Sequence, residues 1–121
     1  MQGKRLERVN QLVKEEISTL LQRELKDPRL GFVTVTEVDV TPDLKHAKVY
    51  VSVLGPEDRW VSSLAALESA RGFIWAWLRR HLDLRVTPEL SFRPDRSMEH
   101  AAHIQALLAD LNGRNASRET P

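Results

Sequence analysis

The chain has 121 residues, 41% hydrophobic and 29% charged, with a formal net charge of +1. That is one domain's worth of ordinary globular composition, too short for two cores and too apolar to stay unfolded. It contains no cysteine, which excludes disulfides, thiolate zinc sites and thiol nucleophiles together.

Residues 5–26 are predicted to be a helix. Leu6, Val9, Val13, Ile17, Leu20, Leu21 and Leu25 recur at three- and four-residue spacing on one stripe. Asp27-Pro28 should end it, because a residue before proline is pushed out of the helical region. Phe32–Val40 reads as a strand whose alternation shifts phase near Glu37, so a bulge is expected there. Thr41-Pro42-Asp43-Leu44 is a turn. His46–Leu54 is the clearest strand, with Ala47, Val49, Val51 and Val53 facing one side, and it should pair antiparallel with its predecessor.

Gly55-Pro56-Glu57-Asp58 opens a helix with Trp60, Leu64 and Leu67 inward. Gly72 interrupts the helical pattern, at about 1 kcal/mol relative to alanine if it lay mid-helix. It is therefore read as a structural turn, Ala70-Arg71-Gly72, and Gly72→Val is expected to damage the fold through the turn's backbone. A helix over 73–83 follows, with Ile74, Trp77, Leu78, His81 and Leu82 inward. Residues 87–93 form a third strand, with Leu90 and Phe92 on one face. Ser97 is placed to cap a last helix carrying Met98, Ala101, Ile104, Leu107, Leu108 and Leu111. Residues 1–111 are expected to form one domain, and 112–121 a polar, flexible tail.

The expected fold is α+β, with helices packed on a three-stranded mixed sheet. The crossover from second to third strand, about 30 residues, permits parallel pairing. The charged start, Met1 to Arg8, has no uninterrupted apolar run and does not read as a signal peptide. No stretch has the apolar length to span a bilayer, so a cytoplasmic location is expected.

Charge is unevenly distributed. From Arg71 to Arg96 there are six arginines (Arg71, Arg79, Arg80, Arg85, Arg93, Arg96) against three acids. A concentrated positive field suits a phosphate backbone, and a solvated basic surface would look the same in sequence. Arg71, Trp75 and Arg79 share a helix face at four-residue spacing, and Arg80 and Arg85 extend that basic area. An exposed Trp75 would stack on a base or ribose, and a buried one would serve the core. Lys4, Arg5 and Arg8 form a second basic group, which a solvated helix start explains equally well. Arg29 reads as a turn residue bonding nearby carbonyls. His100 and His103 are three apart, without further ligands to complete a metal site. No phosphate-binding loop, dinucleotide fingerprint or nucleophile elbow is present. No catalytic residue, metal or cofactor is expected.

Two helices meeting at a short glycine-containing turn and packed on three strands resemble a KH domain of type II topology, α-β-β-α-α-β with a C-terminal helix. More specifically, Asp27-Pro28-Arg29-Leu30-Gly31-Phe32-Val33-Thr34-Val35-Thr36, Asp43-Leu44, Ala47-Lys48-Val49-Tyr50-Val51-Ser52-Val53 and Leu84-Arg85-Val86-Thr87-Pro88-Glu89-Leu90-Ser91-Phe92 resemble the ribosome-binding factor A family. So does Asp95-Arg96-Ser97 before the last helix. The resemblance runs from Arg5 to about Leu111. It implies a non-catalytic, monomeric cytoplasmic factor that binds the 30S subunit and its 16S rRNA during late maturation and rRNA processing. It also implies support of growth in the cold and release involving a ribosome-associated GTPase. RNA contact would fall to Arg71, Gly72, Trp75, Arg79, Arg80, Arg85, Lys4, Arg5 and Arg8. Many KH domains carry Gly-x-x-Gly where this chain has Ala70-Arg71-Gly72. The Cβ of Ala70 restricts close backbone approach, so the helix after the turn is the expected contact. Relatives often place a basic residue near Trp75, and this chain does not. A general KH-like RNA chaperone and a protein-interaction module with a basic face are the competing readings.

Overall fold

The computed structural model describes the backbone of residues 2–119 and the side chains of residues 3–113. In chain order the elements are α1 (Gln2–Arg23), β1 (Phe32–Val40), β2 (His46–Leu54), α2 (Glu57–Ser69), α3 (Arg71–His81), β3 (Glu89–Pro94) and α4 (Ser97–Glu119). The sheet order is β1-β2-β3, antiparallel between β1 and β2 and parallel between β2 and β3. This is the expected α+β arrangement on a mixed sheet. α1, α2 and α3 cover its inner face, where Val13, Ile17, Val49, Val51, Leu67, Ile74 and Leu78 are fully or almost fully buried. Truncating one of the larger of these, such as Ile17, to alanine would cost about 2–5 kcal/mol.

The phase shift in β1 is a bulge at Thr36. Val35 pairs with Val51 and Glu37 with Tyr50, leaving Thr36 unpaired. A strict alternation from Val35 would turn Val38 and Val40 outward; the extra residue returns both to the core. The Thr36 hydroxyl donates to Asp95 Oδ2 at 2.7 Å, with the Tyr50 carbonyl 3.3 Å away. Asp95 in turn donates its N–H to the Val51 carbonyl and accepts the Ser97 N–H on Oδ1 at 3.0 Å. Asp95, not Ser97, therefore supplies the capping oxygen of α4. The hydrogen bonds from Thr36 and Ser97 hold its carboxyl below the usual carboxylate range.

α1 starts and ends about three residues earlier than its apolar pattern suggests. The Glu24 and Leu25 amides both bond the Leu20 carbonyl, closing the last turn before Asp27-Pro28 is reached. Asn10 Oδ1 accepts the Val40 N–H at 2.8 Å, so α1 shields the outer edge of β1.

The junction of α2 and α3 corrects the expected turn. Ala70 alone separates them (φ −90°, ψ 1°), its amide bonding back to Ala66 and its carbonyl accepting from Ile74. Gly72 lies inside the first turn of α3, its φ is not positive, and no atom stands within 4 Å of where a Cβ would be. It neither makes the bend nor relieves a clash. The glycine the backbone does require is Gly55, at φ +139° with a would-be Cβ 3.0 Å from the Arg59 side chain.

Two further expectations change. His81 is exposed instead of inward, because α3 aims Ile74 and Leu78 at the core. α4 continues helical to Glu119, through most of the segment assigned to the tail, and all its side chains from Ser97 to Gly113 are exposed. The tail side chains from residue 114, and residues 120–121 altogether, lie outside the described residues.

Two outcomes follow for unfolding measurements. Gly72→Ala is expected to fold with unchanged or higher stability, by up to about 1 kcal/mol, whereas Gly55→Ala should lose at least about 1 kcal/mol. Chemical denaturation of both variants checks the contrast, and an equally destabilised Gly72→Ala would return that residue to the turn. Asp95, with its lowered folded-state pKa, stabilises the chain above its unfolded value near 3.9, and that contribution disappears as pH falls through the folded value. Asp95→Asn should be less stable at neutral pH and lose less on acidification, as read from thermal unfolding across an acid pH series.

Candidate nucleic-acid interface

The residues expected to meet RNA fall on two separate surfaces. The first is the solvent side of α3. Arg71 opens the helix and pairs with Glu68 at 3.2 Å, an i,i+3 pair spanning the kink. Four residues on, Trp75 is half-buried, its indole N–H donating to the Thr87 carbonyl at 3.3 Å. That bond holds the edge of the ring, and the side chain is neither fully buried nor fully exposed. One turn further, the Arg79 guanidinium lies over the Trp75 ring, 5.5 Å from its centroid. Arg71, Gly72 and Trp75 line a shallow depression of about 260 Å³ with Glu89 and Leu90. Arg80 is exposed on the outer side of the same helix.

Gly72 gains meaning here. A helical glycine costs about 1 kcal/mol relative to alanine, and nothing inside the fold calls for it. It leaves the backbone of the first turn of α3 bare beside Arg71 and Trp75. A strand can approach that backbone more closely than a Cβ would allow.

Trp77 faces the other way. Its indole N–H donates to Glu16 Oε1 at 2.8 Å and its ring stacks on His81 with centroids 3.9 Å apart. It ties α3 to α1 and belongs to the scaffold, as its spacing suggested.

The second surface joins groups that are far apart in sequence. Arg85, in the connection from α3 to β3, does not extend the α3 surface. It lines a groove of about 670 Å³ with Arg5, Leu6 and Val9 of α1 and with Leu44 and Val86. Arg8 borders an adjoining recess that shares Arg5, Val9, Leu44 and Arg85. Arg5, Arg8 and Arg85 are exposed and have no ion-pair partner among the described residues. Lys4 is exposed one residue before Arg5. Leu44 belongs to the segments that carry the family resemblance, but its place in this groove is visible only in the fold. It adopts φ +62°, a left-handed conformation costly for a branched side chain, and its side chain packs against the core edge.

The remaining arginines of the basic stretch are occupied elsewhere. Arg93 donates to Ser91 Oγ at 3.0 Å on β3. Arg96 bonds Glu57 at 2.8 Å and Glu99 at 3.4 Å, with its guanidinium over the buried Trp60 ring at 4.2 Å. Arg29 bonds a carboxylate instead of carbonyls: its guanidinium reaches Asp27 Oδ2 at 2.8 Å and its amide reaches Oδ1. The Arg29 hydrogen bonds hold the Asp27 carboxyl below its usual range and raise the guanidinium's own pKa. His100 and His103 are exposed on α4, and no group of three metal-ligating side chains occurs among the described residues.

A family model described as Ribosome-binding factor A matches residues 5–108. Ribosome-binding factor A of Natranaerobius thermophilus is 49% identical over 93% of this chain and 86% of its own length. That of Acetivibrio thermocellus is 46% identical over 97% and 96%. Among solved structures, the crystal structure of ribosome-binding factor A from Thermus thermophilus superposes with a TM-score of 0.68 at 30% identity, covering 76% of this chain and 97% of that one. A Thermus thermophilus ribosome-binding factor A model fitted into a cryo-EM map of a 30S complex gives a TM-score of 0.61 at 32% identity over 72% of this chain and 91% of that one. With a model spanning most of its length and relatives this similar from end to end, the chain belongs to the ribosome-binding factor A family.

Proposed function

We propose that this chain is a non-catalytic assembly factor that binds the 30S ribosomal subunit and its 16S rRNA during late maturation. The observation that carries the reading is the likeness to the ribosome-binding factor A seated in a 30S complex map, at 32% identity. The α3 surface supplies a physical basis. Arg79 and Arg80 offer planar, permanently charged donors to phosphates, and the half-open Trp75 ring beside a bare glycine backbone offers a stacking surface. Binding of this kind holds an RNA conformation and transforms no substrate. Nothing on α3 sets a base beside a nucleophile.

In this reading residues 1–111 act as one RNA-binding unit and the segment from residue 112 as a tail. The chain works as a cytoplasmic monomer without a cofactor and leaves the subunit with the help of a ribosome-associated GTPase. No described helix is long and apolar enough to cross a membrane, in keeping with that location.

Co-sedimentation tests the reading. The chain should pellet with isolated 30S subunits and not with mature large subunits, and its affinity should fall as salt rises. Arg79→Glu with Arg80→Glu should weaken 30S binding at least about tenfold, roughly 1.4 kcal/mol, while thermal unfolding stays unchanged, since both side chains are exposed. Binding to neither subunit at any salt would overturn the proposal.

A further inference from the structure

The groove between the start of α1, the β1–β2 turn and the α3–β3 connection shares no lining residue with the depression beside Trp75. Its chemistry is mixed in a particular way. Arg5 and Arg85 line it and Arg8 lines the adjoining recess, from parts of the chain some eighty residues apart. Its apolar lining comes from Leu6, Val9, Leu44 and Val86. Two carboxylates also face it, Asp43 in the groove and Asp83 in the recess. Asp43 is held in place by its own turn, Oδ1 accepting the Thr41 hydroxyl at 2.6 Å and the Lys45 amide at 3.1 Å. Its Oδ2 has no hydrogen-bond partner among the described residues.

We propose that this groove is a second RNA contact that receives a single unstacked nucleotide, with its phosphate and the two flanking it each on one of Arg5, Arg8 and Arg85 and its base on the apolar lining. Three guanidiniums without ion-pair partners match a phosphate diester and its neighbours. An apolar pocket of several hundred cubic ångströms is of the size that takes a small planar ligand. The carboxylates decide between polyanions. An acidic peptide would meet Asp43 and Asp83 as like charges, whereas a nucleotide presents amino and 2′-hydroxyl donors for them to accept. Leu44 fits the same role. Its left-handed backbone, costly for leucine, turns the side chain onto the groove wall instead of out to solvent.

The inference rests on the RNA-binding reading above and adds the location and chemistry of a second contact. It is tested by fluorescence anisotropy of the full chain with a short single-stranded oligocytidine RNA over a salt series, with the DNA oligomer of the same sequence and polyglutamate as comparisons. Changing Arg5, Arg8 and Arg85 together to Gln should lower the slope of log affinity against log salt by about 2, at roughly 0.7 per phosphate contact, and weaken binding tenfold or more. Val86→Ser should weaken binding severalfold with the slope unchanged, because it removes apolar contact and no charge. The DNA oligomer should bind more weakly than the RNA, and polyglutamate should not displace it. A wild-type slope and affinity in the triple variant, alongside weakened binding by Arg79→Glu with Arg80→Glu, would overturn the groove and leave the broader reading standing. Equal binding of the DNA, or displacement by polyglutamate, would overturn RNA as the occupant. Absence of RNA binding by the wild-type chain would overturn both.

Discussion

Because β2 pairs antiparallel with β1 on one edge and parallel with β3 on the other, the chain must cross back along the sheet between Leu54 and Glu89. A parallel neighbour cannot be reached by a tight hairpin. The crossover is α2 and α3, laid on the inner face that β2 presents through Ala47, Val49, Val51 and Val53. With only Ala70 between them, the two helices have little freedom in how they meet. Burial of Ile74 and Leu78 then fixes the rotation of α3 about its axis. That rotation places Trp75 at the boundary and Arg79 and Arg80 in solvent. The basic α3 surface is a by-product of how a parallel strand is closed.

The arginines show how a chain of nearly neutral total charge produces local fields. Arg29 and Arg96 are taken up by carboxylates, and Arg96 also covers Trp60. These serve the turn before β1 and the base of α4. Arg79, Arg80, Arg85, Arg5 and Arg8 have no such partner among the described residues. Arg71 lies between the two classes, paired with Glu68 across a solvent-exposed gap where the pair adds little stability. A phosphate could take Arg71 from Glu68 at little cost.

The strands were largely legible in the sequence. β2 is buried on one face only, so its residues alternate cleanly and its bounds match the expectation from His46 to Leu54. The phase shift in β1 also showed, because a bulge displaces every later side chain by one position. The helix junction did not. A helical glycine and a glycine in a turn interrupt the pattern identically, and only the backbone shows that Ala70 makes the bend and Gly72 does not. Trp75 was ambiguous because its environment is divided, with its indole N–H bonded to Thr87, Arg79 over its ring and the side chain only partly exposed. The division of the basic residues was illegible for a different reason. Arg85 meets Arg5 only through the tertiary fold, and linear proximity had assigned it to α3.

That division has a consequence for how the molecule approaches a charged surface. A net charge of +1 gives almost no monopole, so long-range attraction to a polyanion is slight. Eighteen basic residues set against seventeen acids, with unpaired arginines gathered on two surfaces, make the chain a higher multipole, whose field decays faster with distance than a net charge's. At physiological ionic strength screening acts over about 8 Å. The chain is therefore hardly drawn in from afar toward a polyanion, and its charges act mainly as a torque that turns a basic side toward such a surface once the two are nearly touching.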